Sequence, residues 1–146
     1  MTNHERARSL LAQARDRWRV MHTALQEGSY PFTVRLSQEC IELSLKAALY
    51  MVGIDPPKWH DVGPALQGNR SRFPAWFAAE IDRYAEISKR WRAEREPSMY
   101  GDEARGLPPE KLYGQAQAEE ALSEADEIFR ACERLIEEGG DKPCPS

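Results

Sequence analysis

The chain has 146 residues, 41% of them apolar and 30% charged, with a formal net charge of −4. That length predicts one domain able to bury a core, and the acidic balance excludes indiscriminate nucleic-acid binding. No apolar run is long enough for a membrane span and MTNHERARS lacks a signal-peptide core, so the expectation is a cytoplasmic protein without membrane contact.

A first helix is expected over residues 3–27, with Asn3 as its N-cap and Gly28 ending it. Ala7, Leu11, Ala14, Trp18, Met21 and Leu25 recur every three or four residues, which makes one inward stripe. Pro31 suits the first turn of a second helix that ends near Gly53. This helix is too apolar to lie on a surface. Leu36, Cys40, Leu43, Ala47 and Tyr50 fill one side, and Ile41, Leu45, Ala48, Leu49 and Val52 fill another. Contact on two sides predicts the central member of a bundle. Arg35, Glu39, Glu42 and Lys46 form a polar line down the same helix, and Glu42 with Lys46 has the order of a favourable i,i+4 ion pair.

The connector IDPPKWHDVG cannot continue the helix, because Pro56 and Pro57 each restrict the residue before them. A short helix is expected over 62–67. A longer one, opened by Pro74 and ending near Arg95, carries the stripe Phe77, Ile81, Tyr84, Ser88 and Trp91. Residues 95–114 read as a long irregular loop, a length usually associated with function or mobility. The last helix is expected over 110–138, with Ala118, Ala121, Leu122, Ala125, Ile128, Phe129, Cys132, Leu135 and Ile136 facing in. No strand pattern or repeat appears. The prediction is an all-α, up-and-down bundle of four long helices plus a short one, over residues 1–138, with a flexible tail over 139–146.

The charge is unevenly distributed: residues 4–19 and 83–95 each carry +3, whereas 102–141 carry −8. Solvated helix faces account for most such patterns, but the basic segments leave room for a specific site. Arg95 extends the stripe of the fourth helix by one further turn, so an apolar face terminates in a guanidinium. That group needs a carboxylate, a phosphate or water. Asp102 or Glu103 offers the simple salt bridge, and Tyr100 with Asp102 offers a small polar cluster around Arg95. His60 has the intrinsic pKa of a general base, although Asp61 beside it points to a plain helix cap. His4 and His22 have less to recommend them, and His22, one turn after Trp18, suits an edge-of-core position.

Cys40 and Cys132 lie on apolar helix faces and read as small buried hydrophobes, while Cys144 falls in the tail. Glu39 and Glu42 suggest a di-iron bundle only until its Glu-x-x-His motif is sought and not found. No phosphate loop, serine elbow or zinc spacing is present, so neither metal nor cofactor is expected.

Taken in order, the N-terminal helix, the segment SYPFTVRLSQECIELSLKAALYMVGIDPPKWHDV, an arginine before a Tyr-containing loop, and AQAEEALSEADEIFRAC resemble the HEPN domain of prokaryotic toxin–antitoxin-associated proteins. The similarity spans about residues 5–136 and is most specific at 38–49 and 58–62. It implies a bundle that dimerises, is often partnered by a minimal nucleotidyltransferase, and is associated with RNA or nucleotides. Catalytic relatives are similar to metal-independent endoribonucleases, with an arginine and a histidine separated by four to six residues. Arg95 matches the arginine, but Tyr100, Gly101 and Asp102 fill the second position. Without imidazole, the usual partner for the 2′-hydroxyl proton is gone, and tyrosine, with a pKa near 10, is a poor replacement.

Binding survives that departure better than cleavage does. The expectation is a homodimeric nucleotide- or RNA-binding component of a toxin–antitoxin-type system, with Arg95, Tyr100, Asp102 and His60 lining its site and the acidic last helix meeting a protein partner. The alternatives are an endoribonuclease using Arg95 with Tyr100 or His60 as base, and a structural module in which Arg95 makes only a dimer salt bridge.

Overall fold

The computed structural model describes residues 1–140; the expectations for the rest of the tail, Cys144 included, lie outside the described residues. In chain order the helices are α1 (Asn3–Gln26), α2 (Tyr30–Met51), α3 (Gly63–Gly68), α4 (Ala75–Ala78), α5 (Ile81–Arg92), α6 (Pro97–Tyr100), α7 (Pro109–Leu112) and α8 (Gln115–Gly140). A 3-10 turn over Arg70–Arg72 joins α3 to α4. The fold is an all-α bundle, and no strand forms among the described residues.

Local chemistry explains most of the boundaries. Thr2, not Asn3, caps α1: its hydroxyl accepts from the Glu5 N–H while the Glu5 carboxylate accepts from the Thr2 N–H. The Thr-x-x-Glu box satisfies two otherwise orphaned donors, which Asn3 could not do alone. At the other end the Gly28 and Ser29 N–H groups bond back to Leu25 and Ala24. The turn over residues 27–29 then lays α2 along α1. Gly53, at φ +84°, ends α2 in the same manner, donating to Tyr50 while Ile54 donates to Leu49. A side chain there would strain the left-handed backbone that releases the connector.

The core is the α1–α2–α8 sandwich. Ala7, Ala14, Ala24, Ala47, Ala48, Ala118, Ala121 and Ala125 are all buried, so the three axes approach closely. Larger side chains such as Met21, Ile41, Leu45, Ile128 and Phe129 fill the space between them. α2 is buried on both of its apolar sides, as its sequence requires. Cys40 and Cys132 are buried and free, and burial drives both thiols upward, Cys40 to about 12, so neither is a nucleophile at neutral pH.

The fourth helix differs from its sequence pattern. It breaks into α4 and α5 at Ala79 and Glu80, where the Glu80 N–H bonds to Phe77, three residues back. No glycine or proline marks the break. Phe77 is fully buried, stacked on Phe73 at 4.8 Å and meeting the Tyr84 ring edge-on at 5.5 Å, and this aromatic cluster holds the tightened turn. The long loop is more ordered than a sequence without periodicity suggests. It contains α6, α7 and an antiparallel bridge between Asp102 and Leu107. The last helix starts at Gln115, not residue 110, because Tyr113 is extended and Gln117 Oε1 accepts from the Gly114 N–H to cap α8. At its far end α8 continues through Gly139 and Gly140, where the sequence pattern suggested fraying.

Candidate functional site

The end of α5, the connector after α2 and the turn into α6 meet beside Glu42 in the middle of α2 and make up the α5 end of the molecule. Arg92, on the last turn of α5, ties them together. Its guanidinium reaches Glu42 of α2 at 2.6 Å and donates to the Trp59 carbonyl at 3.0 Å. Both side chains of this pair are largely withdrawn from solvent, with Glu42 only 16% exposed, which makes the pair stronger than a surface bridge. Glu42 therefore pairs with Arg92, not with Lys46. Glu39 meets Arg17 and Arg35 at 3.8 Å each. The geometric reason is that α2 is central: its polar line faces neighbouring helices, and a cation delivered across a groove displaces the local i,i+4 partner.

Arg95 sits three residues beyond, in the turn after α5, and its side chain is exposed. The regular helix ends at Arg92, so the stripe that carried Trp91 inward no longer holds at residue 95. Its backbone is fixed, because the Arg95 carbonyl accepts from Ser98 Oγ at 3.0 Å. Its guanidinium makes no ion pair or side-chain hydrogen bond among the described residues. The expected bridge to Asp102 or Glu103 is absent; Asp102 instead accepts from the Arg105 N–H at 3.1 Å and faces its guanidinium at 4.0 Å. An open cleft of about 620 Å³ runs along Arg92, Ala93, Arg95, Glu96 and Pro97. A second, of about 330 Å³, is lined by Glu96, Pro97, Tyr100, Gly101, Asp102 and Glu103. Sharing Glu96 and Pro97, the two clefts place Arg95 and the Tyr100–Asp102 group on adjoining surfaces.

The Tyr100 ring is exposed. Gly101 shapes this wall: at φ +75° it passes so close to Leu107 that an added Cβ would lie 2.1 Å from the carbonyl oxygen. Tyr113 anchors the returning chain by donating its phenol to Glu94, and burial together with that carboxylate raises its pKa well above the ordinary value.

His60 is exposed on the connector and forms no side-chain hydrogen bond among the described residues. It joins this end of the molecule only through its neighbour Trp59, whose carbonyl Arg92 holds. Asp61 does not cap α3, which has no side-chain cap; it accepts from Ser88 Oγ at 2.6 Å and pins the connector to α5. His22 backs onto the Trp18 carbonyl at 2.6 Å beside the Trp18 ring, and His4 accepts from Arg8. Sequence reasoning passed over Arg92 and Trp59. The signals were there: an acid on a central helix demands a cation, and a tryptophan flanked by Lys58 and His60 after two prolines has no apolar stripe to join. Among the described residues no group of three or more His, Cys, Asp or Glu side chains is placed to hold a metal ion, and no helix is long and apolar enough to cross a membrane.

A family model for the HEPN domain matches residues 7–135. The chain belongs to the HEPN family. Among solved structures, this HEPN chain is similar to TT1696 from Thermus thermophilus, at 26% identity and a TM-score of 0.69, over 92% of this chain and 98% of that one. A comparison with curated proteins gave no match. The family match spans α1 to α8 and so includes both clefts and the connector.

Proposed function

We propose that this HEPN chain is a nucleotide- or RNA-binding component of a cytoplasmic toxin–antitoxin-type system, acting as a dimer alongside a minimal nucleotidyltransferase, with Arg95 as its phosphate-binding group. The observation that carries the reading is the exposed Arg95 guanidinium, free of any carboxylate among the described residues, on an open cleft beside the exposed Tyr100 ring. A permanently charged fork in that position suits the two oxygens of a phosphate. The adjoining wall is less suited to proton transfer. The position where the resemblance calls for imidazole holds Tyr100, Gly101 or Asp102, and the Asp102 carboxylate is committed to Arg105. Binding without cleavage follows from that chemistry. Cleavage is the second reading, favoured by the exposed His60 on the connector that Arg92 ties to this end of the molecule.

The test is to incubate labelled structured and single-stranded RNA with wild type and Arg95→Ala in excess EDTA, then resolve the products on native and denaturing gels. Wild type should retard intact RNA, and Arg95→Ala should weaken that binding roughly tenfold, the scale of a lost charged hydrogen bond. Equal affinity in the two proteins contradicts the reading. Cleavage lost in Arg95→Ala would establish the endoribonuclease, and neither shift nor cleavage would leave the protein–protein role.

A further inference from the structure

Trp59 is the most solvent-exposed of the large hydrophobic residues among those described, with 83% of its surface open to water. A tryptophan forfeits more by exposure than any other residue, so an exposed indole on an ordered backbone asks for an occupant. Its backbone is ordered from two directions. Pro56 and Pro57 stiffen the approach, and Arg92, itself held by Glu42 at 2.6 Å, grips the Trp59 carbonyl at 3.0 Å. The ring therefore stands on a fixed stem at the edge of the end of the molecule that carries Arg95.

The surroundings decide what kind of occupant fits. Glu42 is neutralised by Arg92 and Asp102 faces Arg105, while Asp61 and Glu94 accept from the neutral Ser88 and Tyr113 hydroxyls and keep their charge within those contacts. Lys58 and His60 flank the indole in sequence, with the exposed Asp55 four residues before it, and Arg95 opens on the cleft it shares with Arg92, where Glu96 is the acid. An exposed aromatic face beside unmatched cations is the combination that binds single-stranded nucleic acid, in which bases stack and phosphates meet guanidinium or ammonium groups. An apolar protein surface would satisfy the indole but not the cations.

We infer that Trp59 is a stacking platform for an unpaired base, and that this end of the molecule selects single-stranded over duplex RNA. The inference rests on the RNA-binding reading above and adds the strandedness of the ligand. A duplex keeps its base faces covered by their neighbours, so it can offer phosphates to Arg95 but nothing to the indole. A single strand offers both.

The experiment measures fluorescence anisotropy of a labelled, unstructured oligoribonucleotide and of the same strand in a duplex. The proteins are wild type, Trp59→Ala, Trp59→Phe and Arg95→Ala, with thermal melts to confirm that each is folded. Wild type should prefer the single strand. Trp59→Ala should lose roughly tenfold in single-strand affinity and most of the preference, and Trp59→Phe should retain most of both. If Arg95→Ala weakens binding while Trp59→Ala binds the single strand like wild type, the stacking inference is overturned and the RNA-binding reading stands. If wild type binds neither RNA, both are overturned. A change in sedimentation of Trp59→Ala with unchanged RNA affinity would assign the indole to a protein contact and likewise overturn the inference.

Discussion

Two helix–helix junctions in this molecule mix burial and charge in different proportions. α1, α2 and α8 meet mainly through alanines and aliphatic side chains, with Arg15–Glu133 and the Trp18 indole to Asp126, both at 2.7 Å, at the rim. α5 is buried only along Ile81, Tyr84, Ala85, Ile87, Ser88 and Trp91, and its flank is laced to α8 by charge. Arg83 grips Glu127 at 2.9 and 3.2 Å, Arg90 grips Glu120 at 2.5 and 2.9 Å, and Trp91 Nε1 donates to Glu124 at 2.8 Å. Close apolar packing is insensitive to salt and pH, whereas fork-to-carboxylate pairs at the surface are screened. The candidate site follows the end of α5, which Arg92 ties to Glu42 of α2 and to the connector, so its geometry depends on hydrogen bonds more than the bundle's does.

The sharpest way to break the comparison is to cut each junction in turn. Leu45→Ala removes a fully buried side chain from the centre of α2 and should cost about 2–5 kcal/mol in chemical denaturation, with little dependence on salt. A loss that salt reversed would put charge, not packing, at the core.

Alkaline pH addresses the α5 side. Burial raises Tyr84 to about 12, and burial with the Glu94 carboxylate raises Tyr113 further. The folded state thus holds both phenolic protons more tightly than the unfolded chain does. Their contribution is complete below the unfolded value near 10 and is lost as pH climbs through the folded values. Stability should fall by about 1–3 kcal/mol between pH 10 and 12. Tyr113→Phe should flatten part of that slope.

The smallest effect belongs to Arg83→Ala, about 0.5 kcal/mol or less at low salt and vanishing at high salt, because both partners are half exposed. A cost above about 2 kcal/mol would show that the flank is as tightly built as the core.

The same division explains what the sequence made legible. Most of the α1 stripe, of both faces of α2 and of the run from Ala118 to Ile136 on α8 is buried as its spacing requires, while Trp18, Leu25, Leu43, Tyr50, Val52 and Leu122 are half-buried at the edge of the core. Apolar periodicity reports burial directly. The break at Ala79 and Glu80 left no trace, because it comes from aromatic packing rather than a breaker residue. The partner of Glu42 lies fifty positions away, where spacing carries no information. At the candidate site, Arg95, Tyr100 and Asp102 were legible as neighbours in sequence. That Arg95 stays unpaired while Arg92 takes the structural role was not, because only the helix end distinguishes two arginines three residues apart.

The most direct test of the central claim, that nucleic acid engages the α5 end of the molecule, is ultraviolet crosslinking of bound single-stranded RNA to the full chain with mass-spectrometric mapping. The account predicts crosslinked peptides carrying Trp59 and the segment from Arg95 to Tyr100. Crosslinks confined to α1, at Arg6, Arg8 or Arg19, would contradict it.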